Sequence, residues 1–254
     1  MSHGGFPIEI SAKYRAGKGN CVVFIHGLGC TKECFDAAFR SQPLGKSPLL
    51  SFDLPGFGAS SRPQGFSYRL EEQAQVCMQL LADLDISYPH LVAHSMGGAI
   101  AILLAEEMGG KIKSLSNAEG NLIRSDSTMS RRMSSVSFKA FSDRLLVRLK
   151  RELLSSRDKG MASWARMMEK SDPLALYLSA KSLLSWSETG KLLEKFMGLK
   201  EKKAYFYGDS NSGMAVLGKL DGVEALSIPS SGHFMMTDNP SAFYKSVAEF
   251  ICSK

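Results

Sequence analysis

Short apolar runs alternate with amphipathic stretches along most of the chain. Continuous apolar runs ended by glycine, proline or polar residues are typical of parallel strands buried on both faces. Such runs predict strands at residues 21–25, 49–54, 90–94, 112–118, 204–207 and 225–229. Residues 6–15 predict one or two short edge strands. Strands that alternate with helices predict an α/β fold with a mostly parallel, doubly wound sheet.

Helical periodicity marks the stretches between these runs. Val76, Leu80 and Leu84 are spaced four apart and predict an amphipathic helix over residues 70–84. Two further helices are predicted to begin at Asp172-Pro173 and at Asn239-Pro240, because proline is favoured in the first turn of a helix. In an open α/β sheet, ligands bind where the strands end at their carboxyl termini. Ligand-binding and catalytic residues are therefore expected in the loops that follow the strands.

The middle of the chain has a different character. Residues 128–199 are helical in pattern, and residues 120–203 carry 18 Lys and Arg against 9 Asp and Glu. The rest of the chain carries 13 basic and 16 acidic residues. This shift predicts an inserted helical subdomain at 120–203, with residues 1–119 and 204–254 forming the core domain. Its basic residues are dispersed and lack interleaved aromatics, so a nucleic-acid partner is not expected.

Composition restricts the classes of protein further. Hydrophobic residues make up 44% of the chain and charged residues 22%, which is typical of a folded globular protein. No apolar run approaches the roughly 18 residues of a membrane span, so stable membrane insertion is not expected. The five cysteines match no zinc-binding spacing and predict reduced thiols in a cytoplasmic protein, without a metal site.

One serine stands at the junction between a predicted strand and a predicted helix. The strand ends at His94, Ser95 follows, and Met96-Gly97-Gly98 lead into an apolar helix. This order predicts a sharp turn that lifts the Ser95 hydroxyl above the sheet beside the positive end of the helix. Such a hydroxyl needs a general base before it becomes a good nucleophile.

Four motifs fall at the predicted carboxyl ends of strands. They are His26-Gly27-Leu28-Gly29, Asp53-Leu54-Pro55-Gly56-Phe57-Gly58, Ala93-His94-Ser95-Met96-Gly97 and Ser231-Gly232-His233-Phe234. In this order they resemble the α/β-hydrolase superfamily, most closely its lipase, esterase and C–C hydrolase members. Ala93 stands where that family usually has glycine. The resemblance covers almost the whole chain and implies the α/β-hydrolase fold, with the inserted helices as a lid.

The resemblance also implies a role for particular residues. Ser95 is expected to be the nucleophile and His233 the general base. Similar enzymes usually place the acid three residues after the glycine that ends the strand at Gly208, but that position is Asn211. Glu119, at the end of the preceding strand, is the favoured acid, and Asp209 is the alternative.

The remaining candidate residues shape the site. The backbone N–H groups of Leu28 and Met96 are expected to form an oxyanion hole. His26, Gly27 and His94 are expected to line the substrate pocket. Apolar side chains of the inserted helices are expected to complete it: Met161, Met167, Met168, Leu174, Leu178 and Met197.

These residues predict a serine hydrolase. It would cleave a small or medium-sized hydrophobic carboxylic ester through an acyl-enzyme, without a metal or organic cofactor. Two alternatives remain open: a receptor-like homologue that binds a ligand with little turnover, and a hydrolase acting on a C–C bond, a thioester or a lactone. Fold alone does not decide among them.

Overall fold

Two sheets are present in the computed structural model, which describes residues 2–3 and 6–253. Strands β1 (Ser2–His3) and β2 (Phe6–Pro7) form a small antiparallel pair. The main sheet contains β3 (Ala12–Arg15), β4 (Val22–Ile25), β5 (Leu49–Phe52), β6 (His90–His94), β7 (Ser114–Ala118), β8 (Lys202–Gly208) and β9 (Glu224–Ile228). Their order is β3-β5-β4-β6-β7-β8-β9. Among these seven strands, β3 runs antiparallel to its neighbour and the others run parallel to theirs. The predicted α/β class with a mostly parallel sheet is confirmed.

The register of the central strands decides which residues meet at one edge of the sheet. His94 pairs with Ala118, and Ala118 pairs with Phe206. The residues that follow, Ser95 and Glu119, therefore leave neighbouring strands at the same level. Gly208 pairs with Ile228 at the end of β9, so the loop that carries His233 begins at this edge as well.

Helices connect the strands. Outside the interval between β7 and β8 the described residues form α1 (Leu70–Asp83), α2 (Met96–Glu107), α9 (Met235–Asp238) and α10 (Pro240–Cys252). Three 3₁₀ helices lie there as well, at Lys32–Arg40, Asp209–Asn211 and Leu217–Lys219. Helix α1 packs against α2, and α10 packs against the 3₁₀ helix at Lys32–Arg40. Helix α2 is buried from Met96 to Ala105, which explains why its sequence is apolar on every side. Among the described residues, each helix is too short or too polar to cross a bilayer.

The interval between β7 and β8 is helical, as its sequence pattern predicts. It contains α3 (Thr128–Ser134), α4 (Phe138–Ala140), α5 (Leu146–Leu154), α6 (Lys159–Met168), α7 (Pro173–Glu188) and α8 (Lys191–Gly198). A single π-helical turn, Phe141–Leu145, joins α4 to α5. We call residues 120–201 the inserted segment. The Asp172 side chain caps α7 by accepting from the N–H groups of Leu174 and Ala175, which confirms the predicted start of this helix.

Hydrogen bonds tie the inserted segment to the sheet-bearing part of the chain. The Asp172 N–H donates to the Gly56 carbonyl at 2.8 Å, and the Ser179 hydroxyl donates to the Tyr68 carbonyl at 3.1 Å. The Arg62 guanidinium donates to the Lys170 carbonyl at 2.9 Å. These bonds place α6 and α7 over the carboxyl-terminal edge of the strands.

Candidate active site

Ser95 occupies a strained backbone position between β6 and α2. Its φ and ψ are 54° and −122°, a region that residues with a side chain seldom adopt. The Ser95 N–H donates to the Ala118 carbonyl at 3.0 Å, which fixes the turn to the neighbouring strand. A Cβ atom on Gly97 would lie 2.3 Å from the Ile25 carbonyl oxygen, so glycine is required there. The predicted sharp turn is therefore present, and Ser95 is partly exposed at its apex.

His233 and Glu119 are hydrogen-bonded, although 114 residues separate them in the sequence. The imidazole Nδ1 lies 2.8 Å from Glu119 Oε2. The His233 side chain is 30% exposed, whereas that of Glu119 is 2% exposed. An ionised carboxylate only accepts hydrogen bonds, so Nδ1 carries a proton and donates it to Glu119 in this hydrogen bond.

Two further donors hold the Glu119 carboxylate. The Gly208 N–H lies 2.9 Å from Oε1, and the Asn211 side-chain amide lies 2.9 and 3.0 Å from the two oxygens. Burial by itself raises the pKa of Glu119. The hydrogen bonds from His233, Asn211 and Gly208 outweigh burial, and the pKa is lowered below its ordinary value. Glu119 is therefore ionised at neutral pH.

Asp209, the alternative acid, has a different set of partners. Its carboxylate accepts from the N–H groups of Ser230 and Ser231, at 2.9 and 3.1 Å. These donors lie in the turn after β9, and their hydrogen bonds lower the pKa of Asp209. The structure thus gives Asp209 the position of a turn-stabilising residue, while Glu119 contacts the imidazole.

In the loop after β4, hydrogen bonds to the Gly27 carbonyl set the orientation of the peptide that carries the Leu28 N–H. The Gly27 carbonyl accepts from His26 Nδ1 at 2.8 Å and from the Cys30 N–H at 3.1 Å. In a trans peptide the N–H points opposite to the carbonyl, so the Leu28 N–H faces away from both partners. The Met96 N–H lies in the first turn of α2, where backbone donors lack intrahelical acceptors.

Gly27 permits a close approach between this loop and the turn at Ser95. A Cβ atom there would lie 3.0 Å from both His94 Nδ1 and Ser95 Cβ. Gly27 lines the same cavity as Ser95, and its place in a substrate pocket stays a prediction.

The two histidines predicted for the substrate pocket have different surroundings. His26 is fully buried and accepts from the Leu54 N–H at 3.0 Å, so it supports the loop from behind instead of lining the cavity. Burial lowers its pKa. The structure therefore corrects the expected position of His26. The cause is its hydrogen bonding to Gly27 and Leu54, which turns the ring inward.

His94 lines the cavity but is only 1% exposed. Its Nε2 donates to the His233 carbonyl at 2.9 Å, and the two imidazole centroids are 4.6 Å apart. Burial, followed by the nearby His233, holds the pKa of His94 well below its ordinary value. His94 is therefore a neutral side chain that packs against the His233 loop.

A cavity of about 260 Å³ joins Ser95 and His233. Its other lining residues are Gly27, Leu28, Cys30, His94, Asn121, Asp126, Thr128, Met129, Ser130, Met161, Trp164, Leu183 and Phe234. Of the six apolar residues expected from the inserted helices, Met161 alone is among these. Leu174 is instead 40% exposed. Met168 is buried next to Gly29, where its Cε would lie 3.3 Å from an added Cβ atom. Helical periodicity identified apolar faces but not the face directed at the cavity.

Trp164 is a cavity residue that the sequence analysis did not single out. Its indole Nε1 donates to the Leu28 carbonyl at 2.7 Å, and its ring lies 5.7 Å from that of Phe234. Helix α6 thereby contacts both the Leu28 loop and the residue after His233. Only the rarity of tryptophan, with two in the chain, set this residue apart in the sequence.

The Asp53 motif has a structural explanation. The Asp53 carboxylate is fully buried and accepts from the Lys32 N–H and the Lys32 ammonium, both at 2.7 Å, and from the Ala59 N–H at 2.9 Å. A Cβ on Gly58 would lie 2.2 Å from its Oδ2. The glycines of this motif thus make room for an ordered loop.

Comparison with known proteins places this geometry in context. A model of an alpha/beta hydrolase family matches residues 22–246. A putative esterase/lipase of Mycoplasma genitalium is 28% identical over 96 residues, which are 38% of this chain and 36% of that protein. The matches to the first three curated relatives span 36%, 20% and 30% of those proteins' lengths.

Solved structures show the same fold over nearly the whole chain. A structure reported with carboxylesterases of the thaumarchaeon Nitrososphaera gargenis has a TM-score of 0.80 at 15% identity, covering 99% of this chain and 97% of that one. A mutant N-acyl homoserine lactonase bound to N-hexanoyl homoserine has a TM-score of 0.76 at 17% identity, covering 97% and 95%. At such identities the likeness concerns the fold.

Proposed function

The chain belongs to the alpha/beta hydrolase family, and on that premise we propose that it is a serine hydrolase. Its substrate would be a small or medium-sized hydrophobic carboxylic ester, cleaved through an acyl-enzyme. The observation that carries this proposal is the Glu119–His233 hydrogen bond beside a cavity that both His233 and Ser95 line. Curated relatives named as esterases and lipases support ester hydrolysis.

The first step would be attack by Ser95 on the ester carbonyl carbon. His233 Nε2 takes the hydroxyl proton as the Ser95 oxygen forms its bond to carbon. The ionised Glu119 stabilises the imidazolium that results and keeps its Nδ1–H in place. The carbonyl electron pair moves onto oxygen, and the N–H groups of Leu28 and Met96 are the proposed donors to that oxyanion.

Collapse of this intermediate would release the alcohol and leave an acyl group on Ser95. The imidazolium gives its proton to the departing alkoxide, so His233 returns to the neutral form. Water then attacks the acyl carbon, with His233 as base again, and the acid product leaves. Proton transfers are thereby balanced within Ser95, His233 and water, and the mechanism needs no cofactor.

Cavity size and lining support a compact substrate. A volume of about 260 Å³ lies just below the range of roughly 300–1,000 Å³ that is typical of ligand pockets. Much of the lining is apolar, from Leu28, Met161, Trp164, Leu183 and Phe234. We propose that the inserted segment acts as the lid of this cavity, since it supplies three of these five side chains. A lactone, which is a cyclic ester, is open to the same attack.

The test combines turnover with covalent labelling. Wild-type protein is expected to hydrolyse p-nitrophenyl butyrate and to lose activity as a serine-directed fluorophosphonate labels one residue, identified as Ser95 by peptide mass spectrometry. Ser95→Ala should retain the circular dichroism spectrum and lose both turnover and labelling. Near-normal turnover by Ser95→Ala would reject the proposal. Binding of the ester without turnover by wild type would favour the receptor-like alternative.

A further inference from the structure

The polar residues of the cavity lining are unevenly distributed. Apart from Ser95 and the two histidines, its polar side chains are Asn121, Asp126, Thr128 and Ser130. All four come from the stretch that leads from the end of β7 into α3. We call these four residues the polar wall. The proposed catalytic mechanism uses none of them.

Asn121 carries the strongest sign of a missing partner. It is 4% exposed, and its Oδ1 has no hydrogen-bond partner among the described residues. Its Nδ2 donates to the Asp126 carbonyl at 2.5 Å and lies 3.3 Å from the Ser127 hydroxyl. If the amide were flipped, Oδ1 would face the Asp126 carbonyl oxygen, and two acceptors would repel each other. The Nδ2 contacts therefore fix the orientation of the amide, and Oδ1 is the acceptor without a partner.

An unpaired buried acceptor is costly, because it has lost its bonds to water without replacement. Asn121 Oδ1 is itself buried, so a ligand donor reaches it only as the lining side chains shift, and the hydrogen bond that then forms recovers that loss. A ligand that brings only apolar groups or acceptors does not. The cavity therefore discriminates between groups of similar shape on their hydrogen-bonding capacity.

The charge of the cavity adds a second criterion. Asp126 is the only carboxylate among the lining residues that the structure describes, and no Lys or Arg is among them. Its Oδ2 accepts from the N–H groups of Leu122 and Ile123, both at 3.0 Å. His94 is neutral, since burial lowers its pKa. The excess of basic residues in the inserted segment therefore supplies no cation to this lining.

We propose that the polar wall receives a neutral hydrogen-bond donor of the substrate, an amide N–H or a hydroxyl, and disfavours a carboxylate. This inference rests on the proposed function in taking the Ser95 cavity as the substrate site. The substrate class becomes a compact neutral ester that carries a donor group away from its scissile bond. Asn121 is its specificity-determining residue, and Asp126 opposes anionic substrates.

Binding to Ser95→Ala protein tests this proposal without turnover. The ligands are the methyl ester of glutaramic acid, its isostere with isopropyl in place of the carboxamide, and monomethyl glutarate, which carries a carboxylate instead. A second pair carries the donor on the alcohol side: the acetate of γ-hydroxybutyramide and its isopropyl counterpart. Dissociation constants are measured by isothermal titration calorimetry at neutral pH.

Two variants in the Ser95→Ala background separate the acceptor from its support. Asn121→Leu removes Oδ1 at similar side-chain volume. Ser127→Ala removes one contact of Asn121 Nδ2 but leaves Oδ1 in place. Transfer from water to the cavity favours the isopropyl ligand over the amide in every variant. We therefore compare the ratio of the amide affinity to the isopropyl affinity in each protein.

We expect Asn121→Leu to lower this ratio about tenfold in at least one ligand pair, and Ser127→Ala to change it less than about twofold. Monomethyl glutarate should bind at least about tenfold more weakly than the amide in the parent protein, a comparison that needs no second substitution. An unchanged ratio in both pairs, equal binding of the carboxylate, or no measurable binding of either amide would overturn the proposal.

Failure of this inference is distinguishable from failure of the proposed function. If turnover depends on Ser95 but the affinity ratio is unchanged, the donor subsite is rejected and the proposed hydrolase function stands. If the affinity ratios are as expected but the wild type shows no turnover, the donor subsite stands and the proposed hydrolase function is rejected.

Discussion

The side-chain amide of Asn211 donates to both carboxylate oxygens of Glu119, at 2.9 and 3.0 Å. Asn211 follows β8, whereas Glu119 follows β7, so the bond crosses two neighbouring strand ends. The position where similar enzymes carry their acid thus holds an amide that supports a carboxylate from the preceding strand. The carboxylate that contacts His233 is therefore that of Glu119, directly after β7.

We predict opposite outcomes for substitutions at the two candidate acids. Glu119→Gln should lower kcat for p-nitrophenyl butyrate by roughly 10²–10⁴, because the imidazolium loses its ionised partner. Asp209→Asn should leave kcat within about threefold of wild type, since Asp209 accepts from Ser230 and Ser231. Steady-state kinetics at neutral pH measure both. The reverse pattern would assign the acid to Asp209.

We predict that Trp164→Phe lowers kcat between about 10- and 100-fold with little change in KM. The substitution keeps an aromatic ring but removes the 2.7 Å bond to the Leu28 carbonyl, so the loop that carries the Leu28 N–H is less well positioned. The control is Trp186→Phe, at the other tryptophan, which does not line the cavity. Equal kcat for the two variants, or a change confined to KM, would argue against this role.

We predict that Gly97→Ala destabilises the protein by at least about 3 kcal/mol. Its Cβ would lie 2.3 Å from the Ile25 carbonyl oxygen and 2.7 Å from that of His26, and neither backbone atom can move freely. Gly218→Ala is the matched control, because a Cβ there meets nothing within 4 Å, and should change stability by less than about 1 kcal/mol. Urea unfolding followed by circular dichroism gives both values. Similar values for the two would contradict the close approach.

We predict that buried His94 makes the protein sensitive to mild acid. Its pKa lies well below the ordinary value of 6.5, so below pH 6.5 the unfolded chain binds a proton that the native His94 does not. The free energy of unfolding should therefore fall with decreasing pH, by up to about 1.4 kcal/mol per pH unit from this residue.

His94→Asn provides the comparison for this pH effect. Its stability should decline less steeply than that of wild type below pH 6.5, and the two profiles should run parallel above it. Burial also lowers the pKa of His26, which is present in both proteins. Urea unfolding at several pH values measures the profiles. Parallel profiles below pH 6.5 would show that His94 titrates normally in the folded state.

Much of the fold followed from the sequence because its signals are local. The apolar run before Ser95 and the small residues after it predicted strand β6, the turn and helix α2. Asp172-Pro173 predicted the start of α7. The 3₁₀ helix at Lys32–Arg40 was not predicted, since its short turns lack the 3.6-residue periodicity that identifies an α-helix.

The candidate site was likewise predicted from the sequence in part. The sequence by itself determined the α/β order of the elements and put Ser95 and His233 at strand ends, because apolar runs and turn residues act over neighbouring positions. Only the tertiary structure decided that Glu119 and not Asp209 contacts His233, that His26 turns inward, and that Trp164 and Asn121 line the cavity. These outcomes depend on strand register and side-chain direction between elements far apart in the chain, which no local pattern encodes.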